Sequence, residues 1–437
     1  MEFQLTKNQQ QIFDLVEGSS ANIFVTGKPG VGKSVLIHAL TELGKKHYVL
    51  AAPTGLAAIN IGGKTLHSIF RLPASDGIIH PTFNNFTTDR DTIAYIKYKV
   101  NHLIIDEVSM VRADMFDFID RLMRYAKEKD EPFGGAQIII VGDFYQLPPV
   151  ANTADTIQLK QAGYDSPFVF SSKAFETFQM EELSEVLRQK GDPTFIKLLH
   201  SARTGDVMDK QLAMLNKLVC KPDDLRIKLV PKNAMADFEN QKELDKIESQ
   251  AFVSNAVEFG TWPAYPAEKV LRLKVGAQVM VKMNKADRPP NTKGPFPSQV
   301  VNGTLAIIKE VCPAKDGEQK HVKVELRDGN VAKIYVQRWE RKIKEENDGK
   351  WEEKVVAAYE QLPLALAWAI SIHKSQGQSF DYVHVDANKI FAPGQLYVAL
   401  SRARSMAGLS LNSKVTVKQF FANKDVKRFF KTKLQTV

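Results

Sequence analysis

"IFVTGKPGVGKSVLI", residues 23–37, joins an apolar β-branched run to a glycine-rich turn, a lysine, a hydroxyl and a second apolar run. The turn matches G-x-x-x-x-G-K-[ST], with Gly27, Gly32, Lys33 and Ser34 at the fixed positions. Glycines let backbone N–H groups converge on phosphate oxygens, and a following helix presents its positive end to them. Gly30 and Val31 complete that backbone cradle. Lys33 is suited to neutralise the β and γ phosphates of ATP, and the Ser34 hydroxyl to complete a Mg²⁺ shell. A chance glycine-rich match would not sit between a strand and a helix. This one does.

Downstream, "HLIIDE" at 102–107 is an apolar strand ending in two acids. Ligands of parallel sheets bind at the carboxyl ends of the strands, where Asp106 and Glu107 would emerge. Asp106 would hold Mg²⁺, directly or through water, and Glu107 would take a proton from an attacking water. An isolated Asp-Glu pair is usually a solvated strand end. After a phosphate loop in the same sheet, hydrolysis is the preferred reading.

"NIFVTG", "YVLAAP", "HLIIDE" and "AQIIIVGD" are short β-branched runs, mostly followed by helical spacing. Strands alternating with helices predict an α/β fold with a buried parallel sheet. Prolines, asparagines and aromatics at 71–98 read as an insert. A second unit begins near residue 180, where "DPTFIKLLHSARTGD" has the form of a capped helix. From 271 to 360 short strands with Asn-Gly or Asp-Gly turns predict a small β-barrel, and the α/β pattern then resumes. "RWERKIKEENDGKWEEK" reads as a solvated face or a hairpin.

The bulk numbers agree with this scheme but decide little. A chain of 437 residues should hold two to four domains. Basic residues exceed acidic ones by nine, which modestly favours a polyanionic partner. Two distant cysteines, Cys220 and Cys312, argue for a reducing compartment and against structural zinc. "MEFQLTKNQQ" is too polar for a signal peptide, and "LPLALAWAISI" is too short for a membrane span. A soluble intracellular protein is expected.

"VGDFYQLPPV" at 141–150 narrows the reading. It resembles motif III of superfamily 1 helicases, with Gln146 as γ-phosphate sensor. "LTKNQ" then resembles their Q motif, placing Gln9 at the adenine. "AAPTGLAAINI" and "KTLHSIF" look like motifs Ia and Ib, "ELSEVLRQ" like motif IV, and "AISIHKSQGQSFD" and "GQLYVALSRARS" like motifs V and VI. The order is right, and the motifs span nearly the whole chain. "EVLRQKGDPTFIKLLHSARTGD" resembles the signature segment of the Pif-type helicases of the 1B branch. Pro29 and Val31 stand where many relatives have alanine and threonine.

The resemblance implies two RecA-like domains: the first at 1–180, with a wedge insert at about 66–100, and the second at 181–270 and 361–437. A small Src-homology-like barrel at 271–360 would interrupt the second. It implies ATP and Mg²⁺ as cofactors and 5′-to-3′ translocation on single-stranded DNA, with forked or structured DNA as further partners of a monomer. Arg188 and Arg402 would reach the γ-phosphate, and Gly377 would approach the nucleotide. Few residues precede the phosphate loop, so a bacterial or phage origin is expected, with the protein in the cytoplasm at the nucleoid. The same motifs would serve an ATPase that remodels protein–DNA complexes without separating strands; a strand-displacement assay distinguishes the two.

A translocase grips DNA phosphates with both domains. The candidates are Thr54, Gly55, His67 and Ser68 in the first, and Asn233, His373, Lys374 and Ser375 in the second. Small hydroxyl and backbone contacts suit a sliding grip because they carry no base information. Phe70, or an aromatic of the insert, would stack on a base or prop a fork.

Overall fold

The computed structural model describes residues 5–72, 77–82, 90–185, 192–221, 225–260, 262, 265–289, 298, 300–313, 320–347 and 350–434. By packing, the chain forms two compact units. The first comprises 1–217, 389–407 and 414–437; the second comprises 218–388 and 408–413.

The first unit is built on six parallel strands: β1 (Asn22–Gly27), β2 (Val49–Ala52), β3 (Lys64–Thr65), β4 (His102–Ile105), β5 (Gln137–Gly142) and β6 (Phe178–Leu183). Their spatial order is β3-β2-β4-β5-β1-β6. Both β1 and β5 are buried along their full length, as expected of strands covered on both faces. Successive side chains point to opposite faces. Phe24 joins Leu103, Ile105, Ile138 and Ile140 in one core, while Ile23 and Val25 join Ile104, Ile139 and Val141 in the other.

This order places the functional loops together. β5 lies between β1 and β4, with Thr26 opposite Gly142 and Ile105 opposite Ile140. The turns after β1, β4 and β5 therefore leave the same carboxyl edge side by side.

Three later segments pack with this sheet: the helices Pro193–Thr204, Gln395–Ser401 and Lys424–Leu434. Val426 of the last is fully buried in the first core, and Phe429 stacks on Phe170 at 4.6 Å. Segments 181–217, 389–407 and 414–437 thus belong to the first unit by packing. The division near residue 180 stands as a proposal about folding domains.

The second unit carries a four-stranded parallel sheet in the order Ala369–Ser371, Ile227–Val230, Val383–Val385, Leu409–Leu411. The helix Asn233–Asp245 packs against its first two strands. Between Ile227–Val230 and Ala369–Ser371 lies an antiparallel region. Its five-stranded sheet runs Val331–Tyr335, His321–Leu326, Leu305–Cys312, Gln278–Val281, Leu364–Leu366, around a core that includes Val279, Ile308 and Val324. The mixed-charge run forms the long hairpin Gln337–Asn347 with Lys350–Gln361. Among the described residues no helix is long and apolar enough to cross a membrane.

Candidate nucleotide-hydrolysis site

The phosphate loop has the geometry its glycines permit. Gly30 and Gly32 have φ of 79° and 82°, in the left-handed region, and Gly32 precedes the helix Lys33–Leu43. Lys33 Nζ donates to the carbonyls of Gly27 (2.7 Å) and Lys28 (3.0 Å), which hold it over the cradle. Burial pushes its pKa down, opposed by the nearby Asp143 and Glu107 carboxylates. An ammonium kept out of water in this way gains from an arriving phosphate. Ser34 is exposed at the first helical turn, while the Val31 side chain is core and offers the loop only its backbone.

Gln9 is buried within the helix Lys7–Gly18. Its Oε1 accepts from Thr6 N, and its Nε2 donates to the carbonyls of Val31 (3.3 Å) and Gly32 (3.2 Å). Both ends of the amide are therefore tied to backbone, so Gln9 braces the phosphate loop.

After β4, the Asp106 carboxylate accepts from Glu107 N at 2.8 Å, and burial beside Glu107 raises its pKa to about 7. Glu107 has φ 52° and ψ 41°, a left-handed conformation that costs a non-glycine residue about 1–3 kcal/mol. That strain orients the side chain by backbone rather than by rotamer alone. The turn behind it is tight: a Cβ on Gly142 would lie 3.0 Å from Val108 N. The buried hydroxyls of Thr26 and Ser109, which flank this turn, have no hydrogen-bond partner among the described residues.

The loop after β5 holds a buried charge pair that was not singled out in the sequence. Asp143 accepts from Arg203 Nη2 (2.9 Å) and Nε (3.1 Å), and from the Tyr397 hydroxyl (2.9 Å). Burial would raise the Asp143 pKa, but Arg203 and Lys33 outweigh it and hold the carboxyl below its ordinary range. Arg203 also lies 4.5 Å from the Tyr145 ring centroid, with Phe430 stacked on Tyr145 at 5.2 Å. Gln146 is buried three residues beyond Asp143. Gly394, with φ 72°, touches this loop so closely that a Cβ there would lie 2.3 Å from Tyr145 O. The available signal was position: Arg203 ends the quoted "LLHSAR" helix and Tyr397 lies within "GQLYVALSRARS".

Arg402 is buried in the same unit. Its Nε donates to Val398 O (3.0 Å) and its Nη2 to Ser401 Oγ (2.9 Å). Burial lowers its pKa, while the Glu107 carboxylate acts in the opposite direction. Arg404 is exposed. Arg188 lies outside the described residues.

The candidate DNA contacts divide. Thr54 caps the helix Gly55–Asn60, and Gly55 has open space around its Cα. His67 is exposed and Ser68 half-buried on the helix Leu66–Phe70. Phe70 does not fit a base-stacking role, because its side chain is fully buried in the first core. In the second unit Asn233 and Lys374 are exposed, His373 is half-buried, and Gly377 is exposed with φ 77°. The Ser375 side chain is interior and donates to Ile372 O (2.8 Å), so its hydroxyl is no surface phosphate ligand.

A lysine held over a glycine cradle, with two acids at the same sheet edge, gives the first unit the form of a phosphate-loop nucleotide-binding domain. Residues 4–212 match the profile of the family described as PIF1-like helicase, and residues 366–410 that of the UvrD-like helicase C-terminal domain. The chain is 34% identical over 440 residues to the ATP-dependent DNA helicase PIF1 of Danio rerio, covering 98% of this chain and 64% of that protein. It is 31% identical over 420 residues to the ATP-dependent DNA helicase Pif1 of Bdellovibrio bacteriovorus, covering 94% and 88%. A crystal structure of Pif1 helicase from Bacteroides in complex with ADP-AlF3 and ssDNA matches with TM-score 0.72 and 34% identity, over 100% of this chain and 98% of that one. The chain belongs to the Pif1-like helicase family. It spans less than two thirds of the Danio rerio relative.

Two outcomes test the site. Asp106→Asn removes a carboxylate that is costly to ionise in the fold. Its stabilising effect on the ligand-free protein should be absent below pH 4, grow as pH rises to 7 and then level off. The plateau is at most roughly 4 kcal/mol for a shift of this size. Thermal melts across that range check it, and a pH-independent difference refutes it. Gly394→Ala should displace the Tyr145–Gln146 backbone and lower kcat about tenfold or more in a protein that still folds; wild-type turnover would count against the contact.

Proposed function

We propose that the protein is an ATP-dependent DNA helicase that moves 5′ to 3′ along single-stranded DNA and unwinds duplexes. The observation that carries this reading is the convergence, at one sheet edge, of Lys33, the Asp106–Glu107 pair and the Asp143–Gln146 loop, in a member of this family. The Bacteroides relative holds both a nucleotide analogue and single-stranded DNA, which supports the same pair of ligands here.

ATP phosphates would replace the Gly27 and Lys28 carbonyls at Lys33. The donor set fits Mg²⁺: an exposed hydroxyl at Ser34 and a carboxyl at Asp106 whose ionisation a nearby cation would favour. When bound, Mg²⁺ would supply charge neutralisation on the phosphates. Glu107 would accept the proton of the attacking water, with its side chain aimed by the left-handed backbone. Gln146 would report the γ-phosphate to the Arg203–Asp143–Tyr397 network, and Arg402 would stabilise charge on the transferred group. Thr54, Gly55, His67 and Ser68 form one phosphate grip, and Asn233, His373 and Lys374 another.

Strand displacement on 5′-tailed against 3′-tailed duplexes tests the activity, with unwinding expected only on the first. Lys33→Ala should abolish ATP hydrolysis and leave single-strand binding mostly intact. Glu107→Gln should bind ATP and turn over poorly. Near-normal turnover in either variant would remove that residue from the chemistry.

The two arginines of "SRARS" provide a register test. Arg402→Ala should lower kcat by orders of magnitude with a smaller effect on nucleotide affinity, whereas Arg404→Ala should retain much of the activity. The opposite ranking in steady-state ATPase assays would show that the roles are exchanged.

A further inference from the structure

The charge excess of the chain is concentrated in one place. Residues 414–437 hold seven basic residues against one aspartate, a net of +6 out of the chain's +9. The proposed nucleotide and single-strand sites use none of them. A solvated surface helix normally mixes both signs along its face. The helix Lys424–Leu434 carries five basic residues against one acid, Asp425.

That helix is anchored. Val426 is fully buried, Phe429 stacks on Phe170 at 4.6 Å, and Phe430 stacks on Tyr145 at 5.2 Å. With the apolar face fixed to the core, Lys424, Lys427, Arg428 and Lys431 all stand exposed. Their spacing of three and four residues puts them on neighbouring turns, about 5 Å apart along the axis. Arg428 also lines a cleft of about 580 Å³ with the exposed Lys160, which extends the basic surface onto the helix Thr153–Gln161. The local acids are few: Asp425 at 3.0 Å from Arg428, Asp206 at 3.7 Å from Lys427, and Asp165 in the cleft.

We propose that this face is a docking surface for the phosphate backbone of duplex DNA, distinct from the single-strand grips. The proposal rests on the helicase reading for its biological sense, though not for its measurement. A rigid row of cations without base contacts matches a regular row of phosphates. Single-strand grips add aromatic platforms for the bases. Here Phe429 and Phe430 are turned inward and already stacked on protein rings.

The test uses the full chain without nucleotide and a blunt duplex of about 20 base pairs, read by fluorescence anisotropy over a salt series. K424A/K427A/R428A/K431A should weaken duplex binding at least about tenfold at low salt. The slope of log K against log salt should become shallower by about 3–4, at roughly 0.9 per lost phosphate contact. Single-strand affinity and single-strand-stimulated ATPase should stay within about twofold, which also reports that the variant is folded. K424R/K427R/K431R should bind duplex like the parent. K246A/K269A/K309A/K323A, an equal loss of charge in the second unit, should leave the slope unchanged. The proposal is overturned if duplex affinity and slope do not change in the first variant, if single-strand binding falls equally, or if the second-unit variant reproduces the loss. Absence of single-strand-stimulated ATPase in the parent would sink the helicase reading instead.

Discussion

The buried carboxylate of Asp143 is the interaction on which the first unit depends. It receives Arg203 from a helix some sixty positions later and Tyr397 from one more than 250 positions later, so a single charge ties three distant segments. Buried ion pairs rarely add net stability over apolar contacts, but removing one partner leaves an uncompensated charge, costing about 3–5 kcal/mol. The pair therefore acts less as a source of stability than as a requirement on register. The helices can pack in many ways that bury Leu198 or Leu396. Few of these also satisfy Asp143.

The same loop couples packing to chemistry. Gln146 is a short step from Asp143, and Tyr145 between them lies against the Arg203 guanidinium and the Phe430 ring. Gly394 presses on the backbone of both Tyr145 and Gln146. A displacement at Gln146 would be resisted by contacts from three later helices.

Much of this was legible in the sequence, because the signals were local. A phosphate loop is a fixed spacing of residue types, and β1, β4 and β5 are continuous apolar runs that only a doubly covered sheet can use. The mixed charge of 338–354 left a solvated face and a hairpin both open, and the pairing of Gln337–Asn347 with Lys350–Gln361 decides for the second. Other features were not legible, for reasons that are equally physical. Phe70 and Ser375 lie in motif-like stretches, but burial is a property of packing, and no spacing rule shows that these side chains point inward. Arg203 and Asp143 each look like ordinary surface charges until the fold brings them together. The association of 389–407 and 414–437 with the first unit depends on Val426, Phe429 and Phe430 finding a core made by residues hundreds of positions earlier.

That return of the chain has a consequence for biosynthesis. The first core is missing Val426, Phe429 and Phe430, and Asp143 is missing Tyr397, until more than two hundred residues beyond the sheet have left the ribosome. Contacts of such high sequence separation form late and leave apolar surface uncovered in the interval. A nascent chain with an intact phosphate loop therefore lacks the Tyr397 hydroxyl that Asp143 accepts from in the folded unit. The six strands of the sheet precede, in order of synthesis, the side chains that fix the loop after β5.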